Sequence, residues 1–531
     1  MTILVHDTLT RQKKPLEPVN AGQIGLYLCG PTVYDDCHIG HLMGPVLFDA
    51  ITRWLRARGL DVRFVNNITD IDDKIIRRAE ETGESWKAVA ERYTELYFGY
   101  LRDLAVTTIT DHPRCTDYVE PMIAFCEDLV ARDRAYVASD GLYYRVNRQE
   151  GYGKLSGRSV EEMQAGARVG AAAGLEHPAD FALWKLSKPG EPSWPSPYGD
   201  GRPGWHLECS VMSSELLGTE FDIHGGGDDL KFPHHENEIA QSEACGHRYA
   251  RTWMHTGLVQ YGGKKVAKSD PRMQDPEFSQ QFQARWLIDT YGAPTIRYFL
   301  LRGHYRRPVD FEPKNVEGAR KGLLRFLDRL GEIVEEAHEP SLQEVCETPL
   351  PDELVELRSK FLAGMDDDFG TGEAIAVLFS MQKASGSLEG DARVHADRCM
   401  RDLGRLLGLF QPGDRQKVVE AGRSGDDRAK PVVEAVIQMR QAARESKDFA
   451  RSDALRDLLQ QSGVTVNDAA QASEVEVGAD VLGPLMAGLL ELRAKARVEK
   501  DFATADALRD ALDGAGVEIT DGPDGAQWAI R

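Results

Sequence analysis

The chain has 531 residues, 42% hydrophobic and 28% charged, with 64 Lys and Arg against 85 Asp and Glu, a formal net charge of −21. That length suggests about three domains around an ample core, and the composition excludes a disordered or fibrous chain. No run approaches about eighteen consecutive apolar residues, which excludes a membrane-spanning helix, and the acidity on its face disfavours a nucleic-acid partner.

In chain order, IGLYLC (24–29) predicts a buried parallel strand closed by Gly30-Pro31. A helical pattern follows to about Arg58, with Gly59 as its stop and Pro45 inside it. DVRFVN (61–66) predicts a second strand and residues from about Asp72 an amphipathic helix. Strand–helix–strand–helix is the pattern of a doubly wound parallel sheet. From about Cys115 to Gly204 the texture changes to that of an insertion, closing on a Pro/Gly/Trp-rich run, before further α/β sequence. Residues 297–330 carry nine basic and four acidic side chains on helical patterning, with Arg302, Arg306, Arg307, Arg320 and Lys321 available to phosphates. Residues 331–360 carry nine acidic and two basic side chains with three prolines, predicting a solvated linker, and a helical segment follows to about Phe410. The C-terminal part repeats itself. Ile437–Asp468 aligns with Leu490–Asp521 at an offset of 53, with 16 of 32 positions identical. Each copy predicts a helix–turn–extended unit in which Phe449, Leu455 and Leu459 bury one face.

Eight cysteines with no CxxC pair, and a start (MTILVHDTLTRQKK) lacking a basic-then-apolar leader, predict a reducing, cytoplasmic setting. Several strings carry candidate chemistry. Cys37-His38-Ile39-Gly40-His41 opens a helix after a strand, placing two imidazoles on one face where they can donate to a transferring phosphoryl group; a plain surface pair has the same spacing. Lys265-Val266-Ala267-Lys268-Ser269 follows Gly262-Gly263, and its two ammonium groups could neutralise a triphosphate or simply face solvent. There is no GxxxxGK[ST], so an ATP site here is not a P-loop. His234 and Glu238 share a helix face, and with Cys29 and Cys209 from predicted strand ends they form a plausible zinc set, the alternative being buried structural cysteines. His235-Glu236 does not begin a zincin motif because position 239 is Ile, which disfavours a metalloprotease. His224 to Asp229 (HGGGDD) would let backbone approach a nucleotide, with a carboxylate for ribose or ammonium. The acidic cluster in Asn67–Lys74 (NITDIDDK) suits helix capping.

Taken in order, HIGH (38–41), NITDIDDKI (67–75), GRPGWHLECS (201–210), FPHHENEIAQ (232–241) and DGPDGAQW (521–528) resemble the class I cysteinyl-tRNA synthetases over nearly the whole chain. The resemblance implies an α/β fold, with a Rossmann-type parallel-sheet core carrying an insertion, then an α-helical domain and a C-terminal anticodon-binding domain. It implies a catalytic first half at 1–114, a connective insertion at 115–203 and a catalytic second half with the KVAKS loop at 204–296. Beyond these it implies a stem-contact region at 297–345, a helical domain at 346–410 and an anticodon-binding region at 411–531 holding the tandem repeat.

The implied activity is ATP-dependent activation of L-cysteine to its adenylate and transfer to the 3′-terminal ribose of cysteine tRNA, by a monomer with one zinc ion and with Mg2+ accompanying ATP. Cys29, Cys209, His234 and Glu238 would hold the zinc, which reads the substrate thiol. Cys29, Gly30, Thr32, Thr69 and Trp205 would form the cysteine pocket. His38, His41, Lys265 and Lys268 would be catalytic, and Gly40, Gly227, Asp229 and Lys268 would bind ATP or adenylate. Asp521 and Trp528 would meet the anticodon. Two departures stand out: the family's KMSKS is KVAKS here, followed by Asp270-Pro271-Arg272, and the KDFAxxDALRD unit occurs twice, only the second running into DGPDGAQW. A non-catalytic tRNA- or adenylate-binding paralogue is the alternative suggested by KVAKS. A mycothiol-type cysteine ligase is another, although such a chain ends before an anticodon domain and carries an ERGGDP string absent here.

Overall fold

The computed structural model describes residues 2–158, 175–265, 270–421, 425–462, 464, 481–522 and 525–530. They fall into two compact units, Met1–Val418 and Val419–Arg531. In the first unit, the hairpin β1 (Leu4–Asp7) and β2 (Gln12–Pro15) precedes strand β3 (Gln23–Leu28). Helix α1 (Ile39–Ala57) crosses over to β4 (Asp61–Asn66), which pairs parallel with β3 from Gln23↔Asp61 to Leu28↔Asn66. Helices α2 (Asp73–Thr82) and α3 (Trp86–Asp103) follow. Asp72 caps α2 by accepting from the Lys74 amide at 2.9 Å, the capping role expected of that acidic cluster.

Helix α4 (Val119–Ala131) opens the insertion, whose strands β5 (Ala135–Ala138), β6 (Gly141–Tyr144), β7 (Phe181–Leu186) and β8 (Gly201–Pro203) form an antiparallel sheet in that order. β8 runs through Gly204 directly into helix α5 (Trp205–Leu217). Strand β9 (Glu220–Gly227), helix α6 (His234–Ala244) and strand β10 (Tyr249–Thr256) complete the core. The central sheet has the order β10-β9-β3-β4, all parallel. Because β3 sends one connection to β4 on its one side and the chain returns to β9 on the other, the carboxyl ends of β3 and β9 part at a topological switch point. Cys29 follows β3 at that crevice, and its amide donates to the Gly225 carbonyl at 3.3 Å.

A buried ion pair ties α1 to later helices. The Asp49 carboxylate accepts from Arg53 at 2.8 Å, Arg297 at 2.5 Å and the Thr107 and Thr108 amides at 3.0 and 3.1 Å. Burial alone would raise its pKa, but the two guanidinium groups hold it below the ordinary carboxylate value. Arg297 also donates to the Leu104 and Leu407 carbonyls, so this cation is structural.

The expected solvated linker at 331–360 is instead folded. Ser341 and Glu344 form a reciprocal capping box on the helix Leu342–Glu347, the helix Asp352–Asp366 follows, and Val334, Val345 and Leu354 are buried. The helices Thr371–Ala384 and Gly390–Arg405 complete this region.

In the second unit the repeat forms two helical hairpins, Gly425–Glu445 with Phe449–Gln461 and Leu482–Val498 with Phe502–Gly514, followed by the antiparallel strands Val517–Gly522 and Gly525–Ile530. Leu455, Leu459 and their counterparts Leu508 and Leu512 are buried together. The expectation for Phe449 fails: it is 64% exposed, because it is the first helical residue after the turn and lies beyond the packed face.

Candidate active site and metal centre

Four side chains from three separate places converge at the sheet's carboxyl edge. Cys29 leaves β3, Cys209 lies one turn into α5, and His234 and Glu238 occupy successive turns at the start of α6. Cys209 was expected at a strand end but is helical, since β8 feeds α5 with only Gly204 between them. Their donor atoms all lie within 4.8 Å of one another. Cys29 Sγ is 3.6 Å from Cys209 Sγ and 3.6 Å from Glu238 Oε1, and His234 Nε2 is 3.1 Å from Glu238 Oε1. The second Glu238 oxygen is committed elsewhere, accepting from Tyr249 Oη at 2.7 Å and lying 2.8 Å from His224 Nε2. That outer contact fixes which oxygen faces the sulfurs.

A second overlapping set, Cys29, His224, His235 and Glu238, is equally compact. Its imidazoles have other duties. His224 pairs with Glu238 and stacks on Trp253 at 4.3 Å, while His235 Nδ1 meets His255 Nε2 at 2.8 Å and His255 Nδ1 meets Thr8 Oγ1 at 2.9 Å. Two thiols, one imidazole and one carboxylate make the stronger set for a borderline-soft tetrahedral ion such as zinc.

The electrostatics favour a cation. Burial and the neighbouring sulfur push the Cys29 thiol up; the same hydrogen bond overcomes burial at Cys209 and brings it down to about 6. Burial pulls His234 down, but Glu238 and the Cys209 sulfur reverse this and raise it. Burial keeps His206, His235 and His255 neutral.

The histidine array around the four ligands was not foreseen, although a signal existed: six of the 14 histidines fall between positions 206 and 255.

The wall beside this cluster is built on Asn67. Its Oδ1 accepts from the Gly30 amide at 2.8 Å and its Nδ2 donates to Thr69 Oγ1 at 3.4 Å. A Cβ on Gly30 would lie 1.6 Å from the Asn67 carbonyl oxygen, so only glycine fits. Thr32 and Thr69 are bridged, and the Thr69 hydroxyl donates to Glu208 Oε2 at 2.7 Å. Trp205, 37% exposed, stacks on His234 with centroids 4.3 Å apart.

His38 is the N-cap of α1. Its Nδ1 accepts from the Gly40 amide at 3.1 Å, and His41 Nδ1 accepts from the His38 amide at 3.3 Å. The rings stack 3.8 Å apart. With both Nδ1 atoms accepting, each neutral ring carries its proton on Nε2, as a donor should. A Cβ on Gly40 would sit 2.9 Å from the His38 ring, which explains the glycine. The glycines after His224 have intramolecular reasons: Cβ atoms at Gly225, Gly226 and Gly227 would meet Phe48, His235 and Asp229 at 2.3, 2.5 and 2.5 Å.

Lys265 ends a short strand in which it pairs with Gln260, while Lys268 lies outside the described residues. In the second unit, the Asp521 backbone pairs with Ala526, and Trp528 is half-buried against the hairpin core.

A parallel sheet with HIGH at the head of the first crossover helix defines a class I aminoacyl-tRNA synthetase. The family model for the class I (C) tRNA-synthetase catalytic domain matches residues 15–321, and that for the DALR domain matches 360–411. The fold is shared with the methionyl-tRNA synthetase of Mycobacterium tuberculosis solved with methionyl-adenylate, at a TM-score of 0.50 and 14% identity over 78% of this chain and 94% of that one.

The model for the cysteinyl-tRNA ligase anticodon binding domain matches residues 482–528. The cysteine–tRNA ligase of Hahella chejuensis is 44% identical across 88% of this chain and 98% of its own length, and that of Thermococcus onnurineus 40% across 89% and 98%. The chain belongs to the cysteine–tRNA ligase family and charges cysteine tRNA with L-cysteine at the expense of ATP. The anticodon-domain match sets aside the mycothiol-type reading. Among the described residues no helix is long and apolar enough to cross a membrane.

Proposed function

We propose that Cys29, Cys209, His234 and Glu238 hold one zinc ion per chain, and that this ion distinguishes cysteine from serine during activation. The observation carrying this reading is the convergence of two thiols, an imidazole and a carboxylate within 4.8 Å at the switch point. A zinc ion held by these four residues would supply a Lewis acid with a preference for a soft sulfur ligand over a serine hydroxyl, so rejection of serine would need no editing site.

The protein's own groups do the rest. His224 and Tyr249 aim Glu238, Asn67 anchors Gly30, Glu208 orients the Thr69 hydroxyl, and Trp205 covers the pocket beside His234. Cysteine so held presents its carboxylate for in-line attack on the α-phosphate of ATP, which enters with Mg2+. His38 and His41 donate from Nε2 to the phosphoryl oxygens as charge builds, and Lys265 and Lys268 neutralise the departing pyrophosphate. Gly40 and Gly227 allow the close approach of adenylate, and Asp229 takes a ribose hydroxyl or the substrate ammonium. Asp521 and Trp528 contact the anticodon, and the protein works as a cytoplasmic monomer. The domain bounds given with the family resemblance are proposed with these roles.

Metal analysis, cobalt substitution and cysteine-dependent ATP–pyrophosphate exchange on one preparation test this reading. We expect one metal ion per chain, loss of it in Cys209→Ser and His234→Ala, and a thiolate-to-cobalt absorption that intensifies with cysteine but not with serine. A Cys209→Ser protein retaining full zinc, or a cobalt spectrum indifferent to cysteine, refutes it.

A further inference from the structure

The first repeat copy lies outside the anticodon-domain match at 482–528, yet its hairpin turn repeats that of the second copy bond for bond. Lys447 and Lys500 have φ of 62° and 63°. The Asp448 and Asp501 amides each donate at 2.8 Å, to the Ala443 and Ala496 carbonyls. Their side chains cap the following helices by accepting at 3.1 Å from the Arg451 and Thr504 amides. The next residue is phenylalanine in both copies, Phe449 at 64% and Phe502 at 60% exposure.

Half of the 32 aligned positions differ between the copies, while both keep a large aromatic with most of its surface exposed. Core packing explains the repeated leucines; it does not explain these rings. The turns are also neighbours, because Arg451 Nη1 lies 3.5 Å from Thr504 Oγ1. Two exposed rings, each beside an exposed lysine (Lys447, Lys500), thus share one end of the unit. Rings that stack bases, with ammonium groups for the linking phosphates, are the usual means of holding unpaired nucleotides.

We propose that the first copy is a second base-stacking site, with Phe449 as its platform and Lys447 as its phosphate contact. Its occupant is an unpaired nucleotide of the same tRNA whose anticodon the second copy binds. Continuity argues for that occupant: the Arg451–Thr504 contact joins the first turn to the domain that the family model assigns to anticodon binding. The duplication then lengthens the stretch of single-stranded loop that the unit engages, without requiring a basic chain.

The test uses the full-length protein with Phe449→Ala, Phe449→Trp and Phe502→Ala, read by cysteinylation kinetics on cysteine-tRNA transcript and on an acceptor-stem minihelix lacking the anticodon arm. Because Phe449 is exposed, its truncation leaves folding intact, which thermal unfolding checks. We expect Phe449→Ala to raise KM for whole tRNA by about 5- to 150-fold, the range of one lost stack. Minihelix charging and tRNA-free ATP–pyrophosphate exchange should stay unchanged, and Phe449→Trp should restore whole-tRNA KM. An unchanged KM for whole tRNA overturns the proposal, as does an equal loss on the minihelix. A change in sedimentation in place of a change in tRNA KM also overturns it, by assigning the surface to a second copy of the chain. Loss with Phe502→Ala but not with Phe449→Ala overturns it too, while leaving the second copy's role untouched.

Discussion

Asp368 is fully buried at a backbone φ of 63° and joins three parts of the first unit. Its Oδ1 accepts from the His6 amide at 2.8 Å and Tyr305 Oη at 2.7 Å; its Oδ2 accepts from Arg306 at 2.8 and 2.9 Å and lies 3.3 Å from His304 Nε2. Burial alone would raise this carboxyl's pKa, but these donors bring it down to about 2. That depression corresponds to about 2 kcal/mol. Since the Arg306 and His304 side chains are 39% and 28% exposed, solvent screening reduces this to about 1–2 kcal/mol. In Asp368→Asn an amide NH2 must face either His6 and Tyr305 or Arg306, which adds about 1–2 kcal/mol for opposed donors, giving a loss of about 2–4 kcal/mol at neutral pH.

The contribution is fully present above the ordinary aspartate value and is lost as pH falls through about 2. The gap between wild type and Asp368→Asn should therefore be flat from neutral pH down to about 4–5 and shrink below that. Urea unfolding followed by tryptophan fluorescence is the assay, because seven of the eight tryptophans lie in the first unit and only Trp528 in the second. A neutral-pH gap below about 0.5 kcal/mol, the scatter of ordinary surface changes, would falsify the account. So would a gap that narrows between pH 7 and 5.

Two further substitutions probe the site. Thr69→Val keeps the side-chain shape but strands the Glu208 carboxyl; a cost of about 1–3 kcal/mol should raise KM for cysteine about 5- to 150-fold in the exchange assay. A parallel rise in KM for ATP would mean that Thr69 supports the whole crevice and not the cysteine pocket. Gly40→Ala places a methyl 2.9 Å from the His38 ring and displaces the cap; kcat should fall about 10- to 100-fold, the weight of a misplaced phosphoryl donor, with KM for cysteine unchanged. An unaltered kcat would separate the His38 position from catalysis.

How legible all this was depends on the kind of signal. The strand at 24–29 was readable as a nearly continuous apolar run, that at 61–66 from Val62 and Phe64 alternating with the exposed Asp61 and Arg63, and α1 because Gly59 stops it. Cys209 was misplaced because WHLECSVMSSELL is buried over much of its circumference, and such a segment shows no period to tell helix from strand. The region 331–360 was misread for the opposite reason: average acidity hid the local Ser341-x-x-Glu344 signature, a direct helix-start signal. The histidine array needed the third dimension, since His224, His235 and His255 meet only once β9, α6 and β10 have stacked.

Charge had the same difficulty. Of the basic residues at 297–330, Arg297 is buried on Asp49, Arg306 is paired with Asp368, Arg320 donates to the Val418 carbonyl and Arg329 is held by Asp397. Four of the segment's nine cations are therefore committed to contacts within the fold, Arg306 and Arg320 among them. Arg302, Arg307, Lys314, Lys321 and Arg325 are exposed, Lys314 beside Glu312, and Arg306 is itself 39% exposed. On the reading proposed above, part of the tRNA affinity comes from contacts that salt does not screen. Exposed rings that stack unpaired bases are contacts of that kind, and the role proposed for the two phenylalanines of the repeat does not depend on the net charge.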